Sequence, residues 1–301
     1  MKTLKNITLI LLALLSHNSA ISMDTAVETE NFLAGEPFAR VVNKTLQLAN
    51  KTYLSPTYGK VTLLSTQHYA KKDFYDQHNT LLEQASKVLY EGKGMNREGL
   101  VFFKSPTGLA QQRLSHPYHA IAEAYGVCVQ FDCINYEQSH FVHADYSLEE
   151  VALNEGQKSK EQMMALIEEN IRSINEKYKL WAKEAGLKDG CAFVHMMNVQ
   201  KQKATSAKEN FEQFASFSSM SRDDIESLLR KESELLFTKE IINRNRIVFT
   251  KLADALTKDA DFNAHLIIYY GAGHMPYFEE ELIQKYGFIP HSVQWISSVS
   301  F

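Results

Sequence analysis

Residues 59–92 read as strand, helix, strand, and no other feature restricts the fold of this chain as much. GKVTLLSTQH (59–68) is an apolar run that ends in polar residues. From Lys71 to Lys87, the residues Phe74, His78, Leu81, Leu82 and Ala85 recur on one helical face, and VLYEG (88–92) is a second apolar run stopped by glycine. Two strands joined through a helix cannot form a hairpin. They run parallel in one sheet, with a right-handed crossover. His68 ends the first strand and Glu91 follows the second, so both are expected at the carboxyl edge, where open α/β sheets bind ligands.

The C-terminal end repeats the pattern. HLIIYY (265–270) reads as a strand, GAGH (271–274) as a turn, Pro276 to Tyr286 as a helix and HSVQWI (291–296) as a last strand. Between the two ends, 159–185, 206–216, 221–237 and 239–257 read as helices, with the apolar CAFVHMMNV (191–199) either helix or strand. Pro37 to Asn50 and Leu109 to Tyr125 are expected to be helical, VCVQFD (127–132) a strand, LVFFK (100–104) ambiguous, and 133–148 a long loop. Ser147 followed by Glu150 has the spacing of a capping box that opens the next helix. The expected fold is therefore α/β: a central mixed, partly parallel sheet built from N- and C-terminal βα modules, with a helical middle layer.

The first 22 residues do not belong to that fold. Lys2 and Lys5 precede nine apolar residues, Ile7 to Leu15, and Ala20-Ile21-Ser22 offers small residues for cleavage after Ser22. Nine residues are too few to span a bilayer, which takes about 20. The segment reads as a secretory signal peptide, with an uncleaved anchor as the alternative, so a secreted or periplasmic protein with no stable membrane span after cleavage is expected. Its loss removes two lysines and no carboxylate, which takes the net charge from −4 to −6. An acidic chain without a basic, aromatic-laced stripe is not built for nucleic acid. Three cysteines, Cys128, Cys133 and Cys191, are too few for a disulfide scaffold in 301 residues.

GAGH places His274 at a strand's carboxyl end, where Gly271 and Gly273 permit a tight turn and positive φ and Pro276 suits the first turn of a helix. The turn lacks the glycine spacing and the Lys-Ser/Thr pair of a phosphate loop. A histidine here also serves as a structural turn residue. His68 in STQH is a second strand-end histidine, and Glu91 a strand-end carboxylate. Two imidazoles and a carboxylate suit either an open metal site or metal-free acid–base chemistry. In the 239–257 helix, Ile241, Val248, Leu252 and Ala255 form an apolar stripe. Arg244 and Asn245 fall about 60° and 40° to either side of Ile241, whereas Arg246 points away. A guanidinium on a buried face needs a partner; Glu91 or a substrate carboxylate would serve. His140, His143 and Asp145 lie together in the long loop, and no serine stands in a GxSxG context.

VTLLSTQH, FYDQHNTLLEQASKVLYEG, FDCINYEQSHFVHADYSLEE, INRNR and YYGAGHMPYFEEELIQKYGF, in this order, resemble the TraB/GumN/TIKI family. The likeness covers about residues 59–150 and 240–290 and would make 23–301 a single domain, with 150–257 a helical insert or cap within it. The family is marked by two Gly-x-x-His motifs with a glutamate between them, and it is related to an erythromycin-esterase group. Gly271 to His274 matches the second motif, Glu91 the glutamate, Arg244 and Asn245 an Arg-Asn pair, and Ala144-Asp145 an Ala-Asp in the loop. In the first motif His68 is kept but Ser65 stands in place of glycine.

The resemblance implies a metal-dependent hydrolase acting on a peptide bond of a peptide or protein substrate. His68, His274 and Glu91 would hold a divalent metal (Mn, Co or Zn) that activates water. Glu91, if not a ligand, would take the proton, and Arg244 would orient Glu91 or steady the oxyanion. Asn245, Asp145, His143, Gly271 and Gly273 are further candidates at the same site. A binding protein without turnover, suggested by Ser65, and a metal-free esterase-like hydrolase are the alternatives.

Overall fold

The computed structural model describes residues 29, 30, 32–105, 107–109, 122, 126–184, 223, 226, 227, 230, 234, 238–258 and 264–300. The proposed signal segment, Cys191, 191–199, 206–216 and most of 109–125 and 221–237 lie outside them. In chain order the first elements are β1 (Thr29–Glu30), β2 (Ala39–Val42), β3 (Thr45–Ser55), β4 (Gly59–Thr66), β5 (Tyr69–Ala70), α1 (Lys72–Glu83) and β6 (Lys87–Tyr90). Then come α2 (Arg97–Lys104), β7 (Cys128–Val129), α3 (Gln130–Cys133), β8 (Phe141–His143), α4 (Leu148–Asn154) and α5 (Lys160–Glu184). A π turn (Thr238–Ile242) leads into α6 (Asn243–Lys258), followed by β9 (His265–Gly271), a 3-10 turn (Ala272–His274), α7 (Met275–Tyr286) and β10 (Ile289–Ser300). None of the described helices is long and apolar enough to cross a membrane.

The chain falls into two compact units, one holding Lys93–Val129 and Tyr146–Glu212, the other Asn18–Gly92, Gln130–Asp145 and Gln213–Phe301. In the first, Phe102, Leu148, Ala152 and Met163 bring α2, α4 and α5 together. There the Ser147 side chain accepts from the Glu150 N–H and the Glu150 carboxylate from the Ser147 N–H, the capping box the sequence announces.

The second unit is built on a mixed eight-stranded sheet in the order β1-β10-β3-β4-β9-β6-β8, with β2 also paired to β3. Pairs among β1, β10, β3, β2 and β4 are antiparallel. From β4 onward the sheet is parallel: β4 with β9, β9 with β6, β6 with β8. The two βα modules therefore share one sheet, and they interlock, because C-terminal β9 lies between the two strands of the N-terminal crossover. β9 is buried along its length, as expected of a strand covered on both faces. Tyr269 meets His78 of α1 edge-on, at 5.6 Å between ring centres, whereas Tyr270 packs on Phe278 of α7 at 5.3 Å. Val248, Leu252 and Leu256 of α6 and Met275, Phe278 and Leu282 of α7 join Val61, Leu63, Leu89 and Ile268 in one core.

Three local expectations are corrected. Pro37 to Asn50 is not a helix but the hairpin β2–β3: Asn43 and Lys44 both take positive φ (49° and 59°) and close a two-residue turn between paired Val42 and Thr45. VCVQFD is a strand only at Cys128–Val129, after which α3 begins. The 133–148 loop contains β8, whose three residues are too few to show a period.

Candidate functional site

Four parallel strands end together at one edge. Thr66 pairs with Gly271, Tyr90 with Tyr269, and His143 with Tyr90. The residues that follow these strands, His68, Glu91, Asp145 and His274, are thereby collected from positions far apart in sequence. Glu91 is tied in by its own N–H, which donates to Tyr269 O at 3.0 Å, and Ala144 N–H donates to Tyr90 O at 3.0 Å.

Arg244, supplied by the second residue of α6, sits among them and is only 8% exposed. Its Nε and Nη2 donate to the two oxygens of Asp145 at 2.9 and 2.7 Å, a fork matched to a carboxylate. Nη2 also donates to Glu91 Oε1 at 2.5 Å. Nη1 is the least committed donor, 3.4 Å from His274 Nε2 and 3.9 Å from Glu240 Oε2. The guanidinium carbon lies 5.6 Å from the centre of the Tyr270 ring. Desolvation alone would lower the Arg244 pKa, but Glu91 and Asp145 raise it above its ordinary value.

Both Glu91 oxygens are engaged, since Gly271 N–H donates to Oε2 at 2.5 Å. Burial would raise its pKa; Arg244 first, then the His274 and His68 imidazoles in their charged forms and the Gly271 N–H, overcome burial and hold Glu91 at about 2. At neutral pH it is a permanent anion and a weak base. Asp145 adds one more tie, accepting from Gly92 N–H at 3.1 Å.

His274 Nδ1 lies 2.7 Å from Asn245 Oδ1. With Arg244 donating toward Nε2, the consistent tautomer is neutral with the proton on Nδ1, donating to Asn245. The imidazole is further held by Tyr270, 4.9 Å between centres, and by stacking on Phe278 at 6.1 Å. His68 differs from all of these because it is exposed. Protein packed around its ring lowers its pKa even though the residue as a whole reaches solvent, with Glu91 opposing and Arg244 reinforcing that shift.

The remaining candidates resolve differently. His143 is on β8, and its Nε2 donates to Gly92 O at 2.7 Å, which directs that nitrogen to the backbone. Gly271 has φ −56°, and Gly273 is not among the left-handed glycines, so the expected positive φ is absent from this turn. What Gly271 supplies is room: a Cβ there would stand 3.0 Å from Glu91 Oε2. Ser65 likewise continues a regular strand, and no left-handed backbone is lost by replacing glycine. Its hydroxyl is buried and, among the described residues, has no hydrogen-bond partner; nor has Asn245 Nδ2. Among the described residues, Cys128 and Cys133 are not bridged to one another. Sequence reasoning missed Tyr270 and Glu240. Strand alternation could have placed Tyr270 on the face of α6 and α7, and the spacing of four could have linked Glu240 to Arg244.

Among the described residues, no group of three or more His, Cys, Asp and Glu side chains is arranged to hold a metal ion. The geometry gives the reason. The expected ligands converge on the guanidinium of Arg244, which binds Glu91 and faces the His274 Nε2 lone pair. As they stand, His68, His274 and Glu91 do not present the ligand set a divalent metal needs. No family model, curated protein or solved structure matches the chain.

Proposed function

We propose that this edge is a hydrolytic site that uses water without a metal, with a peptide or ester bond as the substrate class. The observation that carries the proposal is the placement of His68, a solvent-reaching imidazole whose pKa is lowered, within electrostatic reach of the partly buried Glu91–Arg244 pair. In this reading His68 takes a proton from water as the water oxygen adds to the substrate carbonyl. Glu91, too weak a base for that step, stabilises the imidazolium that results. Arg244 Nη1, the donor with the loosest partners, turns to the developing oxyanion. His68 then returns its proton to the leaving group, so the products are an acid and an amine or alcohol. The reading rests also on the motif resemblance.

The test is hydrolysis of peptide and ester libraries by the chain lacking residues 1–22, beside His68→Asn and Glu91→Gln. Turnover that survives chelator and is lost in His68→Asn supports the proposal. Turnover only after Mn, Co or Zn loading, with bound metal lost in His68→Ala and His274→Ala, would replace it by the metal-dependent hydrolase. No turnover under either condition, with both variants folded, would leave a binding protein.

A further inference from the structure

A second buried charge cluster lies away from the candidate site, and the same helix that follows His274 carries it. Lys51 of β3 is fully buried, as is most of Glu279 of α7, which is 4% exposed. Lys51 Nζ donates to Glu279 Oε1 at 3.1 Å and to Glu36 O at 2.6 Å. Tyr53 OH donates to the same Oε1 at 2.6 Å, and Gly35 N–H to Oε2 at 2.9 Å. The rings of Phe32 and Phe38 lie 4.9 and 4.0 Å from Lys51 Nζ and cover the ammonium.

Two of the three polar partners of this ion pair, Gly35 N–H and Glu36 O, belong to a surface turn. Leu33 in that turn is 76% exposed, and its N–H donates to Glu36 Oε1 at 3.0 Å. Gly35 takes φ +86°, with nothing within 4 Å of a Cβ built there, so it is chosen for its backbone and not for space. The segment from Phe32 to Phe38 is therefore a strap: aromatic at both ends, exposed in the middle, and hydrogen-bonded through its main chain to a buried carboxylate.

Next to Glu279 on α7, Phe278 stacks on His274 and meets Phe249 of α6 at 5.8 Å. Adjacent residues of one helical turn thus hold the strap (Glu279) and the imidazole (Phe278). We propose that the strap Phe32–Phe38 is a conformational latch that sets the position of α7 and, through it, the orientation of His274. Release of the turn strips Glu279 of the Gly35 N–H and Lys51 of the Glu36 carbonyl. A buried pair that loses hydrogen bonds draws in water or moves, and the helix carrying the carboxylate moves with it. The latch goes beyond the hydrolase reading and stands without it, because its readout is the His274 ring.

The test compares the chain lacking residues 1–22 with its Gly35→Ala and Glu279→Gln variants. Amide hydrogen exchange of 32–38 and 275–286 is followed by mass spectrometry, and the His274 ring nitrogens by 15N NMR. Gly35→Ala strains only the exposed turn and leaves Lys51 and Glu279 in place, so it decides the outcome even if Glu279→Gln does not fold. Exchange in the first two turns of α7 is expected to rise by roughly tenfold, the effect of losing one charge-assisted hydrogen bond. The His274 15N shifts are expected to move in both variants. A rise confined to 32–38, with α7 exchange and the His274 shifts unchanged, would overturn the latch.

Discussion

Arg244 and Lys51 are both buried cations in the same unit, and they are held in opposite ways. Arg244 faces two carboxylates, Glu91 and Asp145, and their attraction outweighs desolvation, so its pKa is raised. Lys51 faces one close carboxylate, Glu279, and a cage of phenyl rings; desolvation wins and its pKa is lowered. The edge cluster therefore holds its cation more firmly than water would, and carries surplus negative charge beside an exposed imidazole. The latch cluster is matched one to one and completed by backbone groups. A surplus of charge next to solvent suits chemistry; a matched pair with backbone partners suits fastening.

The sharpest way to break that contrast is the same substitution at both cations. Arg244→Met leaves Glu91 and Asp145 without their shared partner and is expected to cost about 3–5 kcal/mol. That loss would be read as a lower urea midpoint at unchanged slope. Equal losses from Arg244→Met and Lys51→Met would mean that the two clusters do one job.

Acid distinguishes them next. Glu91 is held at about 2 against an ordinary 4.5, so the folded state resists its protonation. The stability this gives is complete above the unfolded value and is lost as pH falls from 4.5 toward 2. The shift amounts to roughly 3 kcal/mol. Urea midpoints measured from pH 6 to pH 2.5 should fall steeply in the parent chain and less in Glu91→Gln. Parallel curves would show that Glu91 is not the group responsible.

Lys51→Met comes third, at about 1–3 kcal/mol, because Glu279 keeps the Tyr53 hydroxyl and the Gly35 N–H, and a methionine fits between Phe32 and Phe38. Thermal melts of the two methionine variants side by side would give the ranking.

The edge cluster was largely legible in the sequence and the latch was not. His68, Glu91 and His274 announce themselves because each follows an apolar run, and parallel strands that end together need no further information to be placed. Arg244 and Asn245 could be put on the buried side of a helix by counting about 100° per residue, and they are buried while Arg246 is exposed. The chosen partner was beyond counting: Asp145, in a loop with no period, takes two guanidinium nitrogens, and nothing local distinguishes a ligand-holding His274 from one that faces an arginine. Lys51 and Glu279 failed for a plainer reason. Lysine and glutamate ordinarily mark an exposed face, and the expected helix over Pro37 to Asn50 leaves no place for a strand residue such as Lys51 to pair across a hairpin. The positive φ of Asn43 and Lys44, a backbone property, decided otherwise.

The smallest expected effect bears on the residue where the family resemblance fails. Ser65 lies in β4 with its hydroxyl buried and, among the described residues, unpaired. An unpaired buried hydroxyl is a cost, so Ser65→Ala is expected to raise stability by up to about 1 kcal/mol. Ser65→Gly removes the same hydroxyl but adds about 0.5–1 kcal/mol of backbone entropy to lose on folding, which brings it close to neutral. If Ser65→Ala instead lowers the urea midpoint, the hydroxyl has a partner in solution, water or ligand, and Ser65 joins the edge cluster as a polar position waiting to be filled. The latch offers no such position on its carboxylate, because both oxygens of Glu279 are already engaged.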